Sequence, residues 1–345
     1  IYLRVRVSLV QSGQIIRSLY PMDSINHQVI ATLSEWLDQQ LDCWLCTIVK
    51  TWGSSPRPVG SLLACNSKGE VTGSLSGGCV EEDLIQILPL RALSGTAPER
   101  IRYGVRKEES DRLGLPCGGR LEVIADPISG SSENRDHFNN ILESQNTRHC
   151  VQRILNLVTG EKTISIADRY QPLLIDEQNL SQHFGPRYLL LLIGAGQIRI
   201  AKTLLAQSID FQVLVSDPRP EMIEQWPVEE ATMIQGMPDD VVREHATDGF
   251  SAVITLAHDP RIDDMALMEA LKGPAFHIGA IGSQRTSQAR LNRLKQLELT
   301  DEQIGRLKGP VGLDIGSKSP PEIAISIAAE LVQVRKQLQL DTLPR

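Results

Sequence analysis

The chain has 345 residues, 41% of them hydrophobic, which is enough for two domains with separate cores. Its formal net charge is -7, from 35 basic and 42 acidic residues, so it lacks the basic excess with which nucleic-acid-binding proteins neutralise phosphates. No apolar run reaches the roughly 18 residues that span a bilayer, and six irregularly spaced cysteines do not form a secreted disulfide framework. We therefore expect a cytoplasmic protein that binds neither nucleic acid nor membrane.

The first half of the chain predicts a poorly ordered leader followed by a domain of mixed helices and strands. Residues 1–22 alternate in polarity and lack the apolar core and cleavage site of a secretory signal. From 23 to 176, helical and strand-like patterns are interleaved, which predicts an α+β domain. The predicted helices span about 25–40, 80–93 and 136–145, and the predicted strands span 44–50, 61–66, 100–105, 120–125, 149–157 and 162–168.

The second half predicts a different architecture. The polar stretch 177–187 ends in Gly185-Pro186 and predicts a linker. From 188 to 340, short apolar strands alternate with helices, which is typical of a Rossmann-like, doubly wound parallel sheet. The predicted strands span 188–193, 212–216, 231–235, 251–256, 275–281 and 311–315. The expected fold class is α/β, with the mixed α+β domain at the N-terminus.

The first strand of the second half leads into a glycine loop that is typical of nucleotide-binding sheets. Gly194 permits a tight turn, and Gly196 lets the backbone approach a phosphate at the start of the next helix. Asp217 closes the following strand, where an acidic side chain can accept hydrogen bonds from ribose hydroxyls. Arg199 occupies the position where the fingerprint has a third small residue. The pattern predicts a nucleotide or phosphate site, and a purely structural turn is the alternative.

A second anion loop is predicted after the strand 275–281. Gly282 frees the backbone, Ser283 can cap a helix or donate a hydrogen bond, and Arg285 can pair with a phosphate. A strand-to-helix turn with a solvated arginine explains the same residues.

Three loops of the first half are candidates for binding. The loop 53–60 presents Arg57 between prolines and glycines, an arrangement that can hold an oxyanion or simply connect two strands. Gly77 and Gly78 precede Cys79 at the predicted start of a helix, where the helix dipole lowers a thiol pKa. Cys117 precedes another Gly-Gly pair. Thiolates are ligands for soft metals, so both cysteines are candidate metal contacts, with burial as small hydrophobic residues as the alternative.

The other four cysteines are predicted to be structural. Cys43 and Cys46 form a CxxC motif that leads into a strand and has no second CxxC to complete a zinc site. Cys65 and Cys150 lie within or at the start of predicted strands.

The motifs, taken together, resemble the XdhC/CoxI family. The resemblance is carried by the runs 53–60 (GSSPRPVG), 73–81 (GSLSGGCVE), 115–119 (LPCGG), 278–285 (IGAIGSQR) and 309–316 (GPVGLDIG), and it extends over about 25–334. The runs occur in order along the chain. Arg199 departs from the family pattern, which has a small residue at that position.

The resemblance implies a maturation chaperone for xanthine dehydrogenase-like or aldehyde oxidoreductase-like enzymes. Such a protein binds molybdenum cofactor, as molybdopterin or its cytidine dinucleotide, protects it during sulfuration and inserts it into an apo molybdenum hydroxylase. The implied partners are that client, a cysteine desulfurase, a molybdopterin cytidylyltransferase and a second copy of the chain in a homodimer. Our hypothesis places the phosphate end in a crevice between the two domains, with the metal near Cys79.

Three alternatives stay open from the sequence. The second half alone fits an NAD(P)-dependent oxidoreductase, although no residue stands out as a hydride-transfer acid or base. Cys79 could instead carry a persulfide in a sulfurtransferase. A scaffold that joins the desulfurase to the apo-enzyme would need neither cysteine. A non-enzymatic chaperone is the preferred interpretation.

Overall fold

The computed structural model describes residues 25–53, 57–88, 97–104, 120–168, 170–194, 209, 211–224, 232–257 and 259–341. Within these ranges the helices are α1 (Ile25–Asp38), α2 (Cys79–Ile87), α3 (Ser132–Asn146), α4 (Pro220–Glu224), α5 (Pro238–His245), α6 (Pro260–Lys272), α7 (Gln284–Leu294), α8 (Asp301–Gly305) and α9 (Pro320–Asp341). The leader predicted over 1–22 lies outside the described residues.

The strands of the described residues form three sheets. They are β1 (Cys43–Trp52), β2 (Leu62–Asn66), β3 (Val71–Gly73), β4 (Glu99–Tyr103), β5 (Arg120–Ile128), β6 (Cys150–Asn156), β7 (Lys162–Ala167), β8 (Leu174–Ile175), β9 (Asn179–Phe184), β10 (Tyr188–Ile193), β11 (Phe211–Asp217), β12 (Thr232–Gln235), β13 (Ser251–Thr255), β14 (His277–Ala280) and β15 (Leu307–Lys308). The strand orders are β3-β2-β1-β5-β4, β7-β6-β9-β8 and β12-β11-β10-β13-β14-β15.

The C-terminal sheet is parallel throughout, as the sequence predicts. Successive leucines of β10 point to opposite faces, because side chains alternate along a strand. Leu189 and Leu191 pack into one apolar cluster with α5 and α6, while Leu190 and Leu192 pack into another with α9. Both faces are therefore covered by helices, and the mixed α/β fold class with a C-terminal Rossmann-like sheet is confirmed.

The N-terminal half contains two antiparallel sheets that share a core. On one face of the five-stranded sheet, Cys46 and Ile48 of β1 pack against Val80 and Leu84 of α2. The other face packs against α1, α3 and the four-stranded sheet. The strands predicted over 149–157 and 162–168 are observed as β6 and β7, which pair with each other across Thr159-Gly160.

Two predictions about individual segments are wrong. The stretch 177–187 is not an irregular linker, because β9 lies inside it and pairs along its whole length with β6. Its alternation places Leu180, Gln182 and Phe184 on the buried side. No strand forms over 311–315; instead β15 pairs with β14, and Gly312 adopts a φ of 106° that an extended strand does not allow. The division of the chain into domains stays a prediction.

A buried polar network joins the two N-terminal sheets. The Arg153 guanidinium on β6 pairs with Asp126 on β5, and Lys162 Nζ on β7 lies 3.1 Å from the second oxygen of that carboxylate. Arg153 also donates to Gln182 Oε1 at 3.0 Å and to His137 Nε2 at 3.2 Å. Because Arg153 and Asp126 are both buried, each charge depends on the other for compensation.

Replacing Arg153 with Met should lower the free energy of unfolding by about 3–5 kcal/mol, because Asp126 would lose one of its two cationic partners in a buried site. Urea-induced unfolding at pH 7 measures this. Arg135→Met is the matched control, since Arg135 pairs with Asp136 on an exposed surface of α3 and should cost no more than about 1 kcal/mol. Equal effects of the two substitutions would contradict a structural role for the network.

The same network should make stability depend on pH. Burial, together with the charges of Arg153 and Lys162, lowers the pKa of His137 from 6.5 to about 3. Between these values the unfolded chain binds a proton that the folded chain does not, so the free energy of unfolding should fall as the pH decreases below 6.5, by about 2–3 kcal/mol at pH 4.5. His137→Gln should flatten this dependence in urea titrations at several pH values. The exposed His149→Gln control should leave it unchanged.

Candidate functional site

The three N-terminal loops with predicted binding residues leave the five-stranded sheet at the same end. The loop with Arg57 follows β1, the Gly77-Gly78 loop follows β3, and the loop with Cys117 connects β4 to β5. Three register pairs fix this arrangement: Trp52 with Arg120, Leu63 with Gly73, and Tyr103 with Leu121. Since antiparallel neighbours reverse direction, β1, β3 and β4 all run towards the end of the sheet at which β5 begins, although they are far apart in sequence.

The Gly77-Gly78 loop is wrapped around the side chain of Glu81, the third residue of α2. The carboxylate accepts four backbone N–H bonds and two hydroxyl bonds. The backbone donors are Leu75 (2.8 Å), Ser76 (2.7 Å), Gly77 (2.8 Å) and Gly78 (3.0 Å), and the hydroxyl donors are Ser74 (3.0 Å) and Ser76. Partial burial raises the pKa of Glu81, but hydrogen bonds from Ser76, Gly77 and Gly78 outweigh it and lower the pKa to about 2.

This arrangement changes the role expected of the two glycines. Their N–H groups are satisfied within the chain by Glu81, so they shape the loop and do not form an open anion cradle. Gly77 has a φ of 87°, a conformation that favours glycine, and no atom of the described residues lies within 4 Å of a Cβ built at either glycine. The outer side of the loop is therefore not covered by the part of the chain that the structure describes. Binding of cofactor by Gly77 and Gly78 stays a prediction.

The two candidate thiols cannot be placed from the described residues. The backbone of Cys79 forms the first residue of α2, as predicted, but its side chain lies outside the described part of the structure, as does all of Cys117. Within the described ranges, no group of three or more His, Cys, Asp or Glu side chains could hold a metal ion.

A groove of about 690 Å³ lies at the same end of the five-stranded sheet, on the face opposite α2. Its lining includes four cationic side chains, from Lys50, Arg100, Arg102 and Arg120. The carboxylate of Glu122, only 5% exposed, holds Arg100 at 3.1 Å and Arg102 at 2.7 Å. The sequence analysis did not predict this groove. The alternation Arg100-Ile101-Arg102 within a strand could have indicated it, because it places two arginines on the same face of the sheet.

An aromatic side chain completes the groove. Trp52, the last residue of β1, is 41% exposed, and Lys50 Nζ lies 5.0 Å from the centre of its ring. The opposite wall is formed by Ile175, the last residue of β8, and by Asp176 and Glu177, so the lining has three carboxylates, with Glu122, beside its four cations. The groove combines guanidinium groups with an accessible aromatic surface, which suits an anionic ligand that also has a flat ring.

The remaining four cysteines are buried free thiols, which confirms the structural interpretation. Burial raises the pKa of both Cys43 and Cys65 to about 12 and that of Cys150 to about 11. It also raises the pKa of Cys46 well above its ordinary value. Near neutral pH these thiols are protonated, so they are poor nucleophiles and poor metal ligands.

In the C-terminal half, Gly194 is required at the end of β10. It has a φ of 96°, and a Cβ at this position would lie 2.5 Å from the backbone nitrogen of Ala257. Any side chain would therefore collide with the end of β13. Gly196 and Arg199 lie outside the described residues, so the remainder of the predicted phosphate loop stays a prediction.

Asp217 is not available in the way that the sequence predicts for a ribose acceptor. Its side chain is fully buried at the end of β11, and both carboxylate oxygens accept hydrogen bonds of 2.8 Å from the Arg219 guanidinium. A ribose hydroxyl would have to displace Arg219 to reach the carboxylate. The strand pattern did not predict that Asp217 pairs with Arg219, two residues later in the chain.

The second predicted anion loop begins α7. Ser283 is the helix N-cap, where its Oγ accepts from Thr286 N at 3.2 Å and its N–H donates to Thr286 Oγ1 at 3.1 Å. Arg285 is exposed on the first turn. The capping role named in the sequence analysis is therefore observed, while anion binding by these two residues stays a prediction.

The two halves enclose a cavity of about 510 Å³ at their junction, but the predicted binding residues are not among the residues that line it. Arg148, which precedes β6, pairs with Asp248 at 2.5 Å, and Gln145 Nε2 donates to Gly185 O at 3.0 Å. Asp248 lies before β13, at the amino-terminal edge of the parallel sheet, whereas Gly194 and Ser283 lie at its carboxyl edge. Cys43, at the other end of β1 from the binding loops, packs with Phe184 beside this junction. The strand ends that lead into the N-terminal loops, and Gly194 and Ser283 of the parallel sheet, thus lie away from the contact between Arg148 and Asp248.

Replacing Glu81 with Gln should loosen the Gly77-Gly78 loop, because several charge-assisted hydrogen bonds would be weakened at once. We expect a loss of about 2 kcal/mol in the free energy of unfolding, with faster amide hydrogen exchange at 75–78. Glu82→Gln is the matched control, since Glu82 lies on the same helical turn and is exposed. In the wild type, acidification below pH 4.5 towards 2 should progressively lose the Glu81 contribution. Unchanged exchange at 75–78 in Glu81→Gln would show that the carboxylate does not hold the loop.

Comparison with known proteins finds relatives that match nearly the whole chain. The chain is 27% identical over 332 residues to a Bacillus subtilis protein named as a probable xanthine dehydrogenase subunit, covering 89% of this chain and 97% of that protein. It is 24% identical over 311 residues to the molybdenum cofactor insertion chaperone PaoD of Escherichia coli, covering 86% and 85%. It also matches an uncharacterized Escherichia coli protein, YqeB, of which it spans 43%.

A solved structure and two family models agree with these matches. The crystal structure of a protein described as a xanthine dehydrogenase from Bacillus halodurans superposes with a TM-score of 0.73 at 25% identity, over 91% of this chain and 98% of that one. The model of the XdhC and CoxI family matches residues 36–104, and the XdhC Rossmann domain matches residues 190–331. With both models matched in order, and with the fold shared over nearly its full length, the chain belongs to the XdhC and CoxI family.

Proposed function

We propose that this protein carries a molybdenum cofactor and delivers it to an apo molybdenum hydroxylase. The observation that carries the proposal is that the strands leading into the three predicted binding loops run towards one end of the five-stranded sheet, where the cationic groove lies on the face opposite α2. In this proposal the cargo extends around that end of the sheet to reach Cys79 at the start of α2. Two of these loops contain Cys79 and Cys117, and the third contains Arg57. A relative that is named as a molybdenum cofactor insertion chaperone supports the same role.

The chemistry of this cargo matches the residues at that end. The cofactor has a fused ring system, a phosphate and a metal with sulfur ligands, so a carrier needs an aromatic surface, cations and soft donors. Trp52 can contact the ring, and Arg102 and Arg120 can pair with the phosphate. Cys79 and Cys117 would then approach the metal, since thiolates are soft ligands. Arg57 supplies a further cation on the loop that follows Trp52.

A cytidine dinucleotide form would need a second anchor for its nucleotide end. Gly194, Gly196, Ser283 and Arg285 are the residues that we propose for it, and of these Gly194 and Ser283 lie at the carboxyl edge of the parallel sheet. Because the described contacts within one chain keep this edge away from the cationic groove, a homodimer is one way to bring the two together. Sulfuration by a cysteine desulfurase, and loading by a cytidylyltransferase, belong to the same proposal.

The geometry offers less support for an NAD(P)-dependent oxidoreductase. Its strand order is the one that binds dinucleotides, but Asp217 is held by Arg219 and does not face a ribose site. No described residue next to Gly194 was identified as a donor or acceptor of the proton that accompanies hydride transfer. Saturable NADH binding with turnover would favour this alternative over a carrier.

Replacing both Cys79 and Cys117 with Ala should reduce the amount of cofactor that copurifies with the protein at least tenfold. The physical reason is the loss of both soft contacts to the metal. The measurement is anaerobic co-expression with a molybdopterin pathway, followed by molybdenum and pterin analysis of the purified protein. Cys150→Ala is the matched control, because this buried thiol lies at the opposite end of β6 from the groove.

Three results of this experiment are informative. Retention that survives in Cys150→Ala and is lost in the double variant supports the proposal. Unchanged retention in the double variant would eliminate the two thiols as contacts. The absence of molybdenum and pterin from the wild type would eliminate the carrier function itself.

A further inference from the structure

A cavity of about 390 Å³ lies at the carboxyl edge of the parallel sheet, where α6 and α7 begin. Its lining includes Pro260 and Asp263 of α6, together with Gly282, Ser283 and Thr286 at the start of α7. Cavities of this size commonly hold small molecules. Asp263 accepts a hydrogen bond of 3.1 Å from Ala257 N, the residue against which Gly194 packs. The cavity is therefore next to the point where the strand order reverses between β10 and β13, a usual place for ligands in such sheets.

A buried arginine with unused donors lines this cavity. Arg290 is 4% exposed, and its Nη2 donates at 3.2 Å to both Asp263 Oδ2 and Ile281 O. Its Nε and Nη1 are buried without a hydrogen-bond partner among the described residues. Asp264 is too far to supply one, at 3.9 Å from Nε. Unpaired buried donors on a charged group are unfavourable, so a bound acceptor would stabilise this arrangement.

The unused donors lie beside the start of a helix. A Cβ built on Gly282 would be 3.8 Å from Arg290 Nη1, so the guanidinium lies directly behind the turn that precedes Ser283. The helix that follows, α7, has eleven residues, and its first-turn N–H groups carry the positive end of the helix dipole. Ser283 Oγ satisfies the N–H of Thr286, whereas the N–H groups of Gln284 and Arg285 belong to the set that a helix leaves without internal partners.

The charges around the cavity favour an anion. Arg290 pairs with Asp263, and Arg293 pairs with Asp264, so these two pairs are balanced and fix the guanidinium groups in place. Asp263 is the carboxylate that lines the cavity, and its charge is offset by Arg290, while Arg293 also lines it. The helix dipole and the exposed Arg285 on the first turn of α7 add positive character beside the cavity. Asp263 and Asp264 are thus positioning residues for the two guanidinium groups.

We propose that this cavity binds the phosphate or diphosphate group of a small molecule, with Arg290 as its buried cation and the first turn of α7 as its N–H donor. Gly282 has no side chain between the cavity and Arg290 Nη1, since a Cβ built there would lie 3.8 Å from that atom. Ser283 is also among the residues proposed above for the nucleotide end of the cargo, but the site is built from residues of the Rossmann-like domain alone and can be tested without the cofactor.

The test uses the complete, cofactor-free protein and calorimetric titration with inorganic phosphate, inorganic pyrophosphate and cytidine diphosphate. Ser283→Asp places a carboxylate in the site and keeps a good helix N-cap. Asn292→Asp is the matched control, because it adds the same charge at an exposed position of α7 that does not line the cavity. We expect saturable pyrophosphate binding by the wild type, at least tenfold weaker binding by Ser283→Asp, and a change below about threefold in Asn292→Asp. Thermal unfolding without ligand checks that both variants fold.

Arg290→Lys and Arg290→Met provide a second measurement. Lys retains the charge and should bind pyrophosphate more weakly than the wild type but more strongly than Met. Tighter binding of cytidine diphosphate than of pyrophosphate would identify a nucleotide as the source of the anion, and equal affinities would identify the diphosphate alone. A wild type that binds none of the three ions overturns the proposal, as does undiminished binding by Ser283→Asp. The titration does not depend on pterin retention, so failure of this site and failure of the carrier function are distinguished.

Discussion

The ion pair between Arg153 and Asp126 holds together the part of the molecule on which the candidate cofactor site is mounted. It joins β6 of the four-stranded sheet to β5 of the five-stranded sheet, and it is supported by Lys162 and His137. β5 begins at the cationic groove, so a rigid attachment of this strand also fixes the position of Arg120. Buried charges have strict geometric needs, and this pair therefore determines how the two sheets meet.

Two kinds of glycine-rich loop in this protein have different physical roles. At Gly77 and Gly78 the backbone donors turn inwards to the Glu81 carboxylate, which stabilises the loop, and no described residue covers its outer side. At Gly282 the absence of a side chain leaves a buried guanidinium close to the surface of a cavity. Glycine content alone does not distinguish a loop that binds its own carboxylate from one that could bind a ligand.

The separation of the two candidate sites has a consequence for the carrier model. The cationic groove and the strand ends that lead into the three loops lie at the end of the five-stranded sheet remote from the junction, and the Rossmann-like site lies at the carboxyl edge of its own sheet. The contact between Arg148 and Asp248 lies at the junction of the two halves, away from both sites. A cofactor with a ring at one end and a nucleotide at the other would need domain movement or a second chain to reach both sites.

The sequence by itself determined the periodic elements, the parallel C-terminal sheet and the burial of four cysteines, because these follow from local apolar patterns and residue chemistry. Only the tertiary structure decided that β9 is a strand, since Gln182 is buried there by hydrogen bonds with Arg153 and Thr47. It also decided that Asp217 is paired with Arg219, and that Nε and Nη1 of Arg290 have no hydrogen-bond partner among the described residues beside a cavity. A charged residue on a strand or helix gives no local indication of its partner, because that partner is supplied by the packing of the chain.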